Sequence, residues 1–132
     1  MRFAAIAFAG FLCAGILAPA ARAADSFTVT FTWDGTGRCF EPQSPPFTLG
    51  HVPPGTKTLR FNMVDLDFTP FHHGGGDLAY SGKDEIPRGA LKGDYRGPCP
   101  PNPHHYEWTV EALDAGGKVL GEAKAMKPFP PE

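Results

Sequence analysis

Long stretches of this chain alternate between apolar and polar residues, and that period of two constrains the fold more than any other feature. Phe27, Val29, Phe31 and Trp33 are separated by Thr28, Thr30 and Thr32. Leu59, Phe61 and Met63 recur on one side of Thr58 to Val64. Between His105 and Leu113, Tyr106, Trp108, Val110 and Ala112 alternate with Glu107, Thr109 and Glu111. Successive side chains of a strand point to opposite faces, so each stretch offers one apolar face to a core and one polar face to water. Threonine, valine and the aromatics also suit pleated backbone. No repeat, heptad pattern or three-turn amphipathic helix competes with this reading. The expected fold is all-β (mainly β), built of antiparallel sheets with little helix.

Turn chemistry punctuates the strands. Asp34-Gly35-Thr36-Gly37 closes the first, and Asp114-Ala115-Gly116-Gly117 forms a hairpin turn into Lys118 to Lys124. Arg38 to Thr56 carries Pro42, Pro45, Pro46, Pro53 and Pro54, each lacking an amide donor, so an ordered loop or edge is expected there. Gly74-Gly75-Gly76 reads as a loop able to approach neighbouring backbone or ligand closely. Leu78 to Tyr80 reads as a short strand, Ile86 to Ala90 as a loop, Gly97 to Pro103 as a stiff rim, and residues 127–132 as extended and partly frayed. Sixteen glycines and 15 prolines would suit a disordered chain, but 12% aromatic residues, several on alternate positions, would not.

The first residues read as a removable leader. Arg2, an apolar run from Phe3 to Leu17, Pro19 and the small residues Ala20-Ala21-Arg22-Ala23 match a secretory signal peptide, with cleavage expected after Ala23. The run is shorter than the roughly 20 residues a membrane span needs, so an integral membrane protein is not expected. Residues 24–132 then form a single periplasmic or secreted domain. The whole chain has a net charge of −2, made more acidic by loss of Arg2 and Arg22, and no Lys/Arg run. Such a surface has little to hold a phosphate backbone, which disfavours nucleic acid as a partner.

Cys13 falls within the leader, leaving Cys39 and Cys99. In an oxidising compartment one disulfide is their simplest fate, with metal ligation or free thiols as alternatives.

Chemistry concentrates at Asp65 and Asp67, His72 and His73, and His104 and His105. Each histidine pair flanks a strand end and a small or rigid loop, so one shared pocket at the end of a sheet is geometrically reasonable. Neighbours on a strand face opposite ways, so at most one histidine of each pair should enter it. Three readings stay open at this point: an anion site in which imidazoles, amides and a tyrosine hydroxyl donate to phosphate or carboxylate oxygens, a transition-metal site, and histidines that are merely hydrogen-bonded in a rim. Ser26, Ser44 and Ser81 lack a nucleophile context, and no Walker loop, zinc-protease helix or nucleophile elbow is present.

Taken in order, Ser44-Pro45-Pro46-Phe47, Pro53-Pro54-Gly55-Thr56-Lys57-Thr58-Leu59, Asp65-Leu66-Asp67, His72-His73, Gly97-Pro98-Cys99-Pro100-Pro101 and His104-His105-Tyr106 resemble the phosphatidylethanolamine-binding protein (PEBP) family, in particular its small bacterial Raf kinase inhibitor-like branch. The resemblance implies a large antiparallel sheet with a smaller one packed on it, and a small cavity at one end for phosphate-like anions and phospholipid head groups. It places Asp65, His73, His104 and Tyr106 in that cavity, and Gly97 and Pro98 at its rim. Leu66 stands where the family has proline, Leu49 where tryptophan is usual, and Gly74-Gly75-Gly76 where an aromatic-rich strand usually continues. The function implied is non-enzymatic binding of a small anionic or phospholipid-type ligand, without a cofactor or metal. The alternatives are an inhibitor or protein-partner-binding module acting through the proline-rich loops, and a periplasmic metal binder.

Overall fold

The computed structural model describes residues 25–131. The expected leader and its cleavage site after Ala23 lie outside the described residues. Seven strands follow in order: β1 Thr28–Phe31, β2 Phe47–Gly50, β3 Thr58–Asp65, β4 His72–Ala79, β5 Glu85–Ile86, β6 His104–Leu113 and β7 Val119–Phe129. They form an antiparallel three-stranded sheet in the order β1-β2-β5 and an antiparallel four-stranded sheet in the order β4-β3-β6-β7. The all-β expectation holds. Among the described residues no helix is long and apolar enough to cross a membrane.

The alternating stretches put their apolar faces where the two sheets meet. Phe31 and Phe47 from the small sheet pack with Phe61 and Trp108 from the large one, and the Phe47 ring sits 4.8 Å from Phe61 and 5.0 Å from Trp108. Trp33, just past β1, stands edge-on to Tyr106 and Phe129 and donates its indole N–H to the Pro128 carbonyl at 2.7 Å. Leu59, Trp108 and Val110 are fully buried, so the centre of the large sheet is a dry aromatic and aliphatic layer.

Four expectations about local structure change. Phe47–Gly50, inside the proline-rich stretch read as loop or edge, is the middle strand of the small sheet; its prolines flank it and leave its own amides free to pair. Glu85–Ile86, at the start of a stretch read as loop, pairs with it. The end read as extended and partly frayed is paired strand as far as Phe129: Lys127, Pro128 and Phe129 pair with His104 to Tyr106, and Pro128 is tolerated because β7 is the edge of its sheet. Finally, Gly74-Gly75-Gly76 is no loop but the middle of β4.

The glycines serve a bulge. From Phe61↔Gly76 and Asn62↔Gly75 the pairing jumps to Val64↔His72, so β4 carries one residue more than β3 opposite it. Gly74 has φ +71°, the left-handed conformation that a bulge of this type assigns to glycine. A side chain there would also meet the Asp94 carbonyl oxygen at 2.5 Å, because the segment around Lys92 to Tyr95 runs directly over the glycines. One inserted residue swaps the faces of everything beyond it. Without the bulge His72 would share the inner face with Asp65; with it, His73 does, buried while His72 is exposed.

A disulfide joins Cys39 to Cys99 across a sequence separation of 60 residues. It ties the loop after β1 to the rigid proline segment before β6, the two pieces of chain that border the open end of the large sheet. Such a bond is compatible with an oxidising compartment.

Candidate binding pocket

Asp65 and Tyr106 are opposite one another in the β3–β6 register, and His104 lies two residues before Tyr106 on the same face. The row of inward-pointing residues on β3 is Leu59, Phe61, Met63 and Asp65, so the apolar alternation ends by delivering a carboxylate to the sheet's end. The bulge adds His73 from β4. These four residues line one cavity of about 350 Å³, together with Phe40, Phe68, Phe71, Cys99, Pro100 and Pro101.

The carboxylate is fully engaged. Asp65 Oδ1 accepts the backbone amides of Asp67 at 2.9 Å and Phe68 at 3.0 Å, and Oδ2 meets Nδ1 of His104 at 2.7 Å. Burial pushes the Asp65 pKa upward, but the His104 hydrogen bond, the two amides and the His104 charge together outweigh it and hold the pKa below the ordinary carboxylate value. The group is therefore an anion at neutral pH, its charge met by donors on the protein side. His104 Nδ1 donates to it, which leaves the other ring nitrogen for the cavity.

His73 is set differently. Its Nδ1 donates to the Arg96 carbonyl at 2.7 Å, fixing the ring and leaving the far nitrogen free. Burial lowers its pKa, and neither the Arg96 carbonyl nor the nearby Asp65 charge restores it, so the ligand-free ring is neutral near pH 7. Its ring stands edge-on to Tyr106 at 5.2 Å. Tyr106 is completely buried, and its hydroxyl, though close to the Asp65 carboxylate, makes no hydrogen bond of standard geometry among the described residues. Burial and then the Asp65 charge push its pKa up, so it stays a protonated donor. A buried hydroxyl without a partner costs about 1–3 kcal/mol, a penalty that a ligand or water oxygen in the cavity would remove.

The outward partners behave as strand alternation requires. His105 is exposed, and both its backbone amide, at 2.6 Å, and its Nδ1, at 3.0 Å, bond to Asp67 Oδ2. Asp67 thereby clamps the β3 end to the start of β6. Its pKa is lowered first by the His105 amide and then by the His105 ring.

Gly97 and Pro98 do not line the cavity, although the sequence placed them at its rim. Both are buried behind it; the Gly97 amide donates to the Glu41 carbonyl at 2.9 Å, and a side chain there would press on Glu41 backbone at 3.0 Å. The rim on that side is Cys99, Pro100 and Pro101. The aromatic side of the cavity, which sequence reasoning missed, consists of Phe40, Phe68 and Phe71, with Phe40 and Phe71 stacked at 5.7 Å. Phe71 beside the histidine pair was its only advance signal. Among the described residues, no three His, Cys, Asp or Glu side chains gather closely enough to hold a metal ion.

The family model for the phosphatidylethanolamine-binding protein family matches residues 19–128. A solved phosphatidylethanolamine-binding protein homologue from Chlamydia trachomatis superposes with a TM-score of 0.61 at 19% identity, over 81% of this chain and 99% of that one. Escherichia coli YbcL, described as a member of the mammalian PEBP family, superposes with a TM-score of 0.58 at 20% identity, over 82% of this chain and 100% of that one. No curated protein matches this chain.

Proposed function

The chain belongs to the phosphatidylethanolamine-binding protein family, and from that premise we propose that it is an exported, non-enzymatic protein that binds a phosphate-type anion, either free or as a phospholipid head group. The observation that carries this reading is the division of labour around Asp65. Two negative charges a few ångströms apart repel by a few kcal/mol at an effective dielectric near 20, so a bare aspartate would reject phosphate. Here two amides and His104 occupy both carboxylate oxygens, and the cavity is left with the far nitrogens of His104 and His73 and the unpartnered Tyr106 hydroxyl. Each far nitrogen is an acceptor while its ring is neutral and becomes a donor once the ring is protonated, and in that form these groups suit an oxygen-rich anion. An anion in contact with His73 favours its protonated form, so binding draws in a proton and strengthens as pH falls.

Binding rather than catalysis is supported by the lining. Its one cysteine, Cys99, is held in the disulfide and cannot act as a thiolate nucleophile. Export is supported by the same disulfide and by the leader-like first residues. The aromatic and proline walls suit the apolar portion of a lipid next to its head group.

Mass spectrometry of material co-purifying with the exported protein tests this reading. A phosphate-bearing molecule that accompanies wild type and is depleted from His104→Ala is the expected result. A stoichiometric metal ion, or an identical set of molecules on both proteins, would contradict it.

A further inference from the structure

Beside the pocket, on the other side of the stacked Phe40 and Phe71 rings, lies a second groove of about 360 Å³ lined by Phe40, Pro42, Phe71, Tyr95 and Arg96. The two cavities share the aromatic pair as a common wall. Arg38 and Arg88 are both within 4.0 Å of Glu41, and Arg60 pairs with Asp77 and Glu111. Among the described residues Arg96 alone of the arginines has no carboxylate partner, and Arg96 lines this groove. A second observation is independent of that charge. Tyr95, only 4% exposed, lines the same groove, and its hydroxyl has no hydrogen-bond partner among the described residues. Native structures seldom leave such a donor without a water or ligand to meet it.

We infer that this groove is a second anion subsite and that the physiological ligand carries two anionic groups, one held at His104 and Tyr106 and the other at Arg96 across the Phe40–Phe71 wall. The inference rests on the head-group reading for its first half and on the groove for its second. A guanidinium takes a phosphate or carboxylate through paired N–H donors, and its planar face can stack on the flanking aromatic rings. The backbone links the two sites: the Arg96 carbonyl holds His73 at 2.7 Å, and the Arg96 amide donates to the His73 carbonyl at 2.8 Å. That segment therefore sets Arg96 on one side of the aromatic wall and orients His73 on the other. Joining two weak contacts through a short linker turns the second into an intramolecular event and raises affinity without any new contact.

Calorimetric titration at pH 7 with inorganic phosphate and with straight-chain alkane bisphosphates of increasing length separates the two halves. At least one bisphosphate should bind wild type about tenfold or more tightly than phosphate does. Arg96→Gln should abolish that gain, so that every bisphosphate binds this variant within about twofold of phosphate measured on the same variant. Lys92→Gln, which removes a cation of the same segment, should retain the gain and so exclude a general charge effect. His104→Ala should weaken both kinds of ligand. Wild type that binds no bisphosphate better than phosphate, or Arg96→Gln that keeps the gain, would overturn the second subsite. Bisphosphate binding that depends on Arg96 in a protein that ignores phosphate would instead overturn the head-group pocket while supporting the groove.

Discussion

Replacing Asp65 with asparagine tests the electrostatic design of the pocket while hardly changing its shape. Asparagine keeps an oxygen for the amides of Asp67 and Phe68, so the turn after β3 persists. What disappears is the charge that Oδ2 places 2.7 Å from His104 Nδ1. A hydrogen bond to a charged group contributes about 1.5–3 kcal/mol. His104 is 19% exposed and Asp65 5%, so solvent screens the pair only in part. The expected cost is thus about 2 kcal/mol near neutral pH, or a fall in Tm of order 10 °C for a domain of this size. The sign with pH follows from the depressed Asp65 pKa. A carboxyl more acidic in the fold than in the unfolded chain contributes stability above its unfolded pKa near 3.8, and that stability is lost as pH falls through the folded value. Wild type and Asp65→Asn should therefore differ most from about pH 5 upward and converge in strong acid. Urea unfolding of both proteins at several pH values measures this directly. Equal stability at pH 7, or a difference that persists unchanged into strong acid, would refute the account of Asp65.

Gly74→Ala should cost more than about 2 kcal/mol, since the new methyl group combines left-handed backbone with an approach of 2.5 Å to the Asp94 oxygen; a chemical unfolding curve that matches wild type would remove the bulge from the argument. Replacing Cys39 and Cys99 together by serine should lose about 4 kcal/mol, from the entropy of a loop spanning 60 residues, and a loss under 1 kcal/mol would show that the end of the sheet is held by packing alone. The His73 imidazole should titrate below 6.5 in ligand-free protein when followed by NMR. Burial favours its neutral form, so its contribution to stability is present above pH 6.5 and lost as pH falls below it; a pKa at or above 6.5 would contradict the burial argument.

Strand existence was legible wherever alternation ran long enough. Phe27 to Trp33, Thr58 to Val64 and His105 to Leu113 each contain or match an observed strand, because one face of each is buried against the other sheet. What escaped the sequence was pairing. Phe47-Thr48-Leu49-Gly50 alternates too, but a four-residue strand between prolines declares itself only through its partners in β1 and β5. Glycine in β4 looked like a loop because its backbone freedom was visible and the Lys92 to Tyr95 segment pressing on it was not. The same gap in tertiary knowledge affected the pocket. Strand parity allowed one histidine of each pair to point inward, and motif order selected His73 and His104, yet only the register jump explains why His73 and not His72 faces Asp65. Gly97 and Pro98 were placed at the rim by motif alone, and contact with Glu41 draws them behind it.

In the proposed function, the donors around Asp65 make this cavity an anion site. Calorimetric titration with glycerophosphoethanolamine, a phosphodiester whose own charge is constant between about pH 5 and pH 8, tests it without interference from ligand ionisation. Affinity should rise from pH 8 to pH 5.5 with net uptake of protons, as the anion favours the protonated His73 ring. His104→Ala should lose about 1.5–3 kcal/mol of binding, and His72→Ala and His105→Ala, whose rings face away, should bind like wild type. Copper and zinc, titrated in parallel, would show the opposite pH trend if imidazoles ligated them, since metal binding needs unprotonated rings. Acid-favoured phosphodiester binding that depends on His104 is the expected result; no heat with the diester, or tight metal binding favoured at high pH, would contradict the anion site.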